Sequence, residues 1–245
     1  MNDVYRVRSE TQARALATER PTLFELVHQA LSSTRRGYDL LAPKFDASPF
    51  RTPDDLLDFA VRATGAADIA LDVCCGTGAA MQFLRPICRQ KIVGIDFSPG
   101  MLLQARQNLE QTAGTAKVEF VEADVMQMDF REEFDLATCF GGLGHIPPGE
   151  ESAFLRLIHR ALKPGGRYIF YSGYRPHLLS PRNILLRTFN AAMKFRNALL
   201  KPPFIMYYFN FLLPQTAEQL KQVGFAVDIR PGPYGRHRLV IATKS

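Results

Sequence analysis

Three aspartates stand at the ends of three consecutive β-rich runs, and the first leads into a glycine loop. That stretch is Leu71-Asp72-Val73-Cys74-Cys75-Gly76-Thr77-Gly78, a strand-like run that turns through the glycines and opens a helix at Ala79. Glycines permit positive φ and remove Cβ atoms, so a ligand can lie against the backbone. The helix N-terminus offers free N–H groups to an anionic or carboxylate end of that ligand. Asp96 ends the second run in Gly94-Ile95-Asp96-Phe97-Ser98, where an acid can accept hydrogen bonds from both hydroxyls of a ribose. Asp124, in Glu122-Ala123-Asp124-Val125-Met126, follows the third run and could accept from an exocyclic amine. Singly, such acids are solvated loop residues or helix caps. At successive strand ends they converge on the crevice where open α/β sheets place ligands.

Positioning these acids takes strands that alternate with helices, and the chain supplies both. β-rich runs at 69–73, 92–95, 118–121, 134–140 and 168–171 are separated by helical spacing, which implies right-handed crossovers and a parallel sheet. A helix over 216–223, ended by Gly224, precedes runs at 225–229 and 238–243 that can close the sheet as an antiparallel pair across the turn-rich 231–235. The expected fold is a doubly wound α/β, mostly parallel seven-stranded sheet of Rossmann-like type. Four regions follow: an N-terminal helical cap (1–66), a ligand-binding core (67–173), a basic lid insertion (174–214) and closing elements of the core (215–245). In the cap, the apolar spacing over 16–31 is helical with Pro21 as a first-turn residue, and another helix starts after Thr52-Pro53.

Of the 245 residues, 47% are apolar and 22% charged, enough to bury a sizeable core and to exclude wholesale disorder or a fibrous chain. The polar start at 1–10 and the absence of any long apolar run make a secretory leader or membrane span unexpected. Cys74, Cys75, Cys88 and Cys139 have neither disulfide density nor zinc-ligand spacing, so a reducing, cytoplasmic setting and no metal are expected.

A glycine loop with a ribose acid fits dinucleotide dehydrogenases or users of S-adenosylmethionine. Reading from Gly76, a dinucleotide fingerprint would need a third glycine where Met81 stands. Asp72, just before the loop, suits an ammonium group and would repel a pyrophosphate. An NAD(P)-linked oxidoreductase and a non-catalytic S-adenosylmethionine-binding module are the alternatives to a transferase.

At this point the sequence resembles the class I S-adenosylmethionine-dependent methyltransferases over 68–170. Asp72 to Gly78 resembles the family's first motif, with Cys74 where a glycine is frequent. Gly94 to Leu102 resembles its ribose motif, and Ala161-Leu162-Lys163-Pro164-Gly165-Gly166-Arg167 its turn before the fifth strand. Asp96-Phe97-Ser98 with Met101-Leu102, the run Phe140-Gly141-Gly142-Leu143, and Tyr38-Asp39 to Lys44-Phe45-Asp46 are similar to ubiquinone and menaquinone C-methyltransferases. The resemblance implies that Asp72, Gly76 and Gly78 cradle the methionine part, Asp96 the ribose, and Phe97, Asp124 and Val125 the adenine. Phe140 and Gly141 would line the methyl end. Cys74, Thr77, Ser98 and Met101 belong to the same motifs and count with the cofactor residues. Tyr38 either closes over the cofactor or packs in the core. S-adenosylhomocysteine would be the product.

At the acceptor end, His145 in Gly144-His145-Ile146-Pro147 is the candidate base, against a purely stacking or loop-bonding histidine. His177, Tyr171 and Tyr174 are weaker candidates for acceptor contact. The net charge of +6 is local, because 174–214 holds Arg175, Arg182, Arg187, Lys194, Arg196 and Lys201 and no acid. A helix from Ser180-Pro181 to Pro202-Pro203 would carry Asn183, Arg187, Asn190, Lys194, Asn197 and Lys201 on one stripe, opposite a Leu/Phe/Met face. A lid packed on the core, a membrane-surface helix spanning 181–211, and a homodimer element all fit it. Each is compatible with a small hydrophobic acceptor, in a monomer or a homodimer. Nucleic acid is disfavoured because the aromatics do not interleave with the bases.

Overall fold

Alternate residues along each strand enter opposite sides of one sheet, and the sheet is covered on both. The computed structural model describes residues 20–235 and 237–245. β1 (Ala67–Val73), β2 (Cys88–Asp96), β3 (Lys117–Glu122), β4 (Phe134–Cys139), β5 (Leu162–Ser172), β6 (Phe225–Pro231) and β7 (Arg238–Lys244) pair in the order β3-β2-β1-β4-β5-β7-β6. The first five run parallel, and β7 is antiparallel to both β5 and β6. This is the expected doubly wound sheet with an antiparallel closing edge. One side buries Ala70, Ile92, Leu136 and Ile169 beneath α3 (Asp54–Thr64), α4 (Ala79–Leu84) and α5 (Pro99–Glu110). The other buries Leu71, Val93, Ala137 and Phe170 beneath α6 (Glu151–Ala161) and α8 (Gln215–Val223). Both faces being covered explains why β1, β2 and β4 read as nearly continuous apolar runs. The glycine turn expected ahead of the fifth strand lies inside β5: Leu162 pairs with Phe134, Arg167 with Leu136, and Pro164-Gly165-Gly166 bulge between them.

In the cap, α1 (Leu23–Leu31) starts with a capping box in which Thr22 and Glu25 satisfy each other's backbone N–H groups. Pro21 therefore precedes the cap and is not in the first turn as the sequence suggests; positions 16–19 of that expected helix lie outside the described residues. The chain breaks at Ser32 and restarts as α2 (Thr34–Leu41), capped by Ser33, then passes through a 3-10 turn at Ala42–Ala47 into α3, which begins immediately after Pro53 as expected. Two acids bind the cap to the core. Asp39 accepts from Ser98 Oγ (2.6 Å) and Gly100 N (3.0 Å) at the start of α5, where an anion also meets the positive end of the helix dipole. Asp46 accepts from Thr77 Oγ1 (2.5 Å) and Asn108 Nδ2 (2.9 Å), joining the cap to the glycine loop.

The lid contains α7 (Pro181–Leu199), capped by Ser180. Its packing corrects the expected polar stripe, because the asparagines of that stripe face the body of the protein. Asn183 donates to Pro176 O, Asn190 accepts from Tyr208 N, and Asn197 bonds both N and O of Phe204. These side chains satisfy backbone groups of an irregular segment, a demand that a hydrophobicity wheel does not register. Met193, from the expected apolar side, packs inward with them, while Leu185 and Leu199 turn outward.

Asp39→Ala removes the acceptor for two hydrogen bonds at the cap–core seam. Urea denaturation should show a loss of about 1–3 kcal/mol, and a change under about 0.3 kcal/mol would mean that the cap is held without that seam.

Candidate active site

The carboxyl ends of β1, β2 and β4 open into a cavity of about 300 Å³ roofed by the cap and the lid. Asp72 sits on β1 between Gly94 of β2 and Thr138 of β4. Beyond it the chain turns through Cys74, Gly76 and Gly78, all with positive φ (55°, 53° and 79°). A Cβ at Gly76 would meet no neighbouring atom, whereas one at Gly78 would strike Leu109 of α5. Gly76 therefore leaves room on the cavity side, and Gly78 permits helix packing. Cys74 holds a glycine-like conformation at a cost of order 1 kcal/mol, and it packs against Gly142, which has no Cβ to obstruct it.

Two buried carboxylates face this loop. Asp72 accepts from Thr138 Oγ1 at 2.7 Å, and burial, with a further push from Asp96, raises its pKa to about 7. Asp96 accepts from Gly76 N and Ser98 N, both at 2.9 Å, so it ties the loop to the end of β2. Its burial outweighs those bonds and raises its pKa to about 6. Each oxygen of these carboxylates retains acceptor capacity. A group bearing positive charge or hydroxyl donors would compensate two carboxylates that are otherwise costly to ionise.

At the other end, Tyr38 from α2 donates its hydroxyl proton to His145 Nε2 (2.8 Å), and His145 Nδ1 lies 2.6 Å from Ile205 O in the lid. A carbonyl only accepts, so Nδ1 carries the imidazole proton and Nε2 the lone pair that receives Tyr38. Burial lowers the His145 pKa and keeps the ring neutral, and burial raises that of Tyr38. The Tyr38 ring also meets Phe97 edge-on and stacks on Phe204.

The cavity brings together Tyr38, Asp72, Cys74, Gly76, Thr77, Asp96, Phe97, Met101, Phe140, Gly141 and His145 from the sequence reading. Gly78 and Ser98 lie behind its wall, in the packing and capping roles already described. Asp124 and Val125 also lie outside the lining. The Asp124 carboxylate caps a 3-10 turn by accepting from Met126 N, while Ala123 N bonds Asp96 O and keeps that loop beside the end of β2. His177 and Tyr174 are exposed and are not among the lining residues, and the Tyr171 hydroxyl donates to Leu56 O. Sequence reasoning missed Phe45, Phe50, Arg51, Met206 and Tyr208 as lining residues. Arg51 carries the one signal that was available, since it stands between two acids that it pairs with, Asp46 and Asp54.

Residues 70–166 match a family model described as a methyltransferase domain. Over these residues the chain is similar to a methyltransferase domain. A 2-phytyl-1,4-naphtoquinone methyltransferase of Nostoc is 32% identical over 125 residues, covering 49% of this chain and 54% of the relative. A demethylmenaquinone methyltransferase of Oceanobacillus iheyensis is 31% identical over 145 residues, covering 58% and 60%. The chain thus spans little more than half the length of these curated relatives. In fold, the chain is similar to an O-methyltransferase family protein of Burkholderia thailandensis, with a TM-score of 0.63 at 18% identity over 95% of this chain and 67% of the other. The oxidoreductase alternative gains no support from these matches.

Because folding raises the Asp72 pKa, the folded protein retains that proton between pH 3.8 and about 7. Asp72 therefore withdraws stability from the empty protein as pH climbs through this window, and a bound cation restores it. Asp72→Asn should raise the Tm of the ligand-free protein at pH 8 by about 2–4 °C and weaken S-adenosylmethionine binding about tenfold or more. In the unaltered protein near pH 6, binding should release a proton, read as a calorimetric heat that varies with the ionisation enthalpy of the buffer. Buffer-independent heats with unchanged Asp72→Asn affinity would remove Asp72 from the cation site.

Proposed function

We propose that this protein transfers a methyl group from S-adenosylmethionine to a small, apolar, hydroxyl-bearing acceptor of the reduced-quinone class. The observation that carries the reading is a single cavity with chemically opposite ends, two buried carboxylates and a glycine loop at one and an aromatic enclosure with a neutral Tyr–His pair at the other. The names of the naphthoquinone and menaquinone relatives support the acceptor class.

The donor supplies an electrophilic methyl on a sulfonium whose leaving thioether is neutral, so the protein's task is alignment, exclusion of water and proton removal. Asp72 holds the ammonium group, Asp96 the ribose hydroxyls, and Phe97 with Met101 the adenine, flanked by the Asp124–Val125 loop. Gly141 and Phe140 border the reacting methyl. Phe45, Phe50, Met206 and Tyr208 enclose the acceptor ring.

His145 is a base that works through Tyr38, since its free lone pair already receives the phenol. As the acceptor's hydroxyl proton passes to Tyr38 Oη, Tyr38 gives its own to His145 Nε2, and the Ile205 carbonyl holds the resulting imidazolium by Nδ1–H. The acceptor's nucleophilic atom forms its bond to the methyl as the S–CH3 bond breaks, with the electron pair going to sulfur.

His145→Ala and Tyr38→Phe should each lower turnover on a short-chain reduced naphthoquinone by about 10²–10⁴ while S-adenosylmethionine affinity stays within about threefold. With the donor saturating, the acid limb of kcat should fall below pH 6.5, the ordinary histidine value, because burial lowers the His145 pKa; the limb should vanish in His145→Ala. Full turnover in both variants would contradict the proton route, and no methylation of any reduced quinone or phenol would contradict the acceptor class.

A further inference from the structure

The inward turn of the α7 asparagines leaves an unusual outer surface. Leu179, Leu185, Phe195 and Leu199 expose 79%, 68%, 69% and 66% of their surface, and Ile184 lies between them on the same outward arc. Arg187 and Lys194 follow along one flank of that arc, and Arg182 lies on the other. Arg196, in the last turn of α7, donates to the carbonyls of Leu31 and Ser32, which fixes the end of α1 against the end of α7. Leu23, Phe24, Val27 and Leu31 of α1 are also exposed. The acid of α1, Glu25, is neutralised by Lys44.

We propose that the outward face of α7, continued by α1, docks on a bilayer surface containing anionic phospholipid. A row of leucine and phenylalanine side chains flanked by arginine and lysine matches an acyl–headgroup boundary, with the apolar chains inserted and the cations among phosphates. From 174 to 214 there are six bases and no acid, and none of Arg175, Arg182, Arg187, Lys194 and Lys201 forms an ion pair with a carboxylate among the described residues. A second copy of the chain is a poor occupant, because an isologous contact through this face would set the cations of α7 against one another, and the one carboxylate of α1, Glu25, is already paired with Lys44. Nucleic acid would leave the large apolar side chains uncovered. Among the described residues no helix is long and apolar enough to cross a membrane, so the contact is parallel to the surface.

The location suits an apolar acceptor. The strap that follows α7 contributes Met206 and Tyr208 to the cavity, so the segment next in the chain after the lipid-facing helix lines the cavity. Docking itself is independent of the catalytic reading, since it needs neither methyl donor nor acceptor.

The test is co-sedimentation of the full chain with phosphatidylcholine vesicles, plain or containing about 30% phosphatidylglycerol, at low and physiological salt. The bound fraction should be at least about tenfold greater on the anionic vesicles and should fall with salt. Leu185→Glu with Phe195→Glu should abolish binding. Arg187→Glu with Lys194→Glu should weaken it and flatten the salt dependence. All four positions are solvent-facing, so both double variants should keep the Tm of the unaltered protein. Failure to bind anionic vesicles, or binding that neither double variant reduces, would overturn the proposal. So would sedimentation velocity showing a dimer that Phe195→Glu dissociates, which would give the face to a second copy.

Discussion

The bond from Tyr38 through His145 to the Ile205 carbonyl is the point where the N-terminal cap, the end of the sheet and the lid meet. Each member comes from a separate stretch of chain, and their polar atoms satisfy one another. Packing around it is close enough to require glycines. A Cβ on Gly144 would press on the Tyr207 carbonyl, and one on Gly37 would strike both Gln29 and Phe204. The same approach lets Tyr207 N bond Gly144 O and Ile205 N bond Thr34 Oγ1. The acceptor end of the cavity is thus assembled from three elements that must all be in place before the hydrogen-bond chain is complete.

The donor end obeys the opposite logic. Asp72 and Asp96 are placed by the central parallel strands, in an environment that disfavours their charge. Backbone N–H groups and the Thr138 hydroxyl offset part of that penalty, and a cationic, hydroxyl-bearing ligand would offset the remainder. Stability is withheld in the empty state and returned on binding, a common pattern where a folded framework holds a strained functional group.

The sheet and its strand ends were legible because their signals are local. Apolar runs of strand length, Gly76 and Gly78 before a helix, and an acid at each strand end all lie within a few residues of one another. The meeting of Asp72, Gly76 and Asp96 in one cavity followed from them. What stayed hidden depends on distant parts of the chain. α2, restarted at Thr34 by the Ser33 cap, lies beyond the helical spacing over 16–31. The inward face of α7 was misread because asparagine counts as polar on any hydrophobicity scale, yet here it pays for the unpaired backbone of the following strap. The pairing of Tyr38 with His145 spans 107 positions and has no signature in spacing. Asp124 shows the reverse case, a residue whose type and position suggested a ligand contact and whose carboxylate is used to cap a turn.

The proposed proton relay depends on the protonation of one imidazole. Nitrogen-15 NMR of His145, assigned by comparison with His145→Ala, reads it directly. A neutral ring with the proton on Nδ1 and an accepting Nε2 from pH 6.5 to 8 is the predicted result. A proton on Nε2, or a doubly protonated ring over that range, would contradict the relay through which the cap, the sheet and the lid are joined.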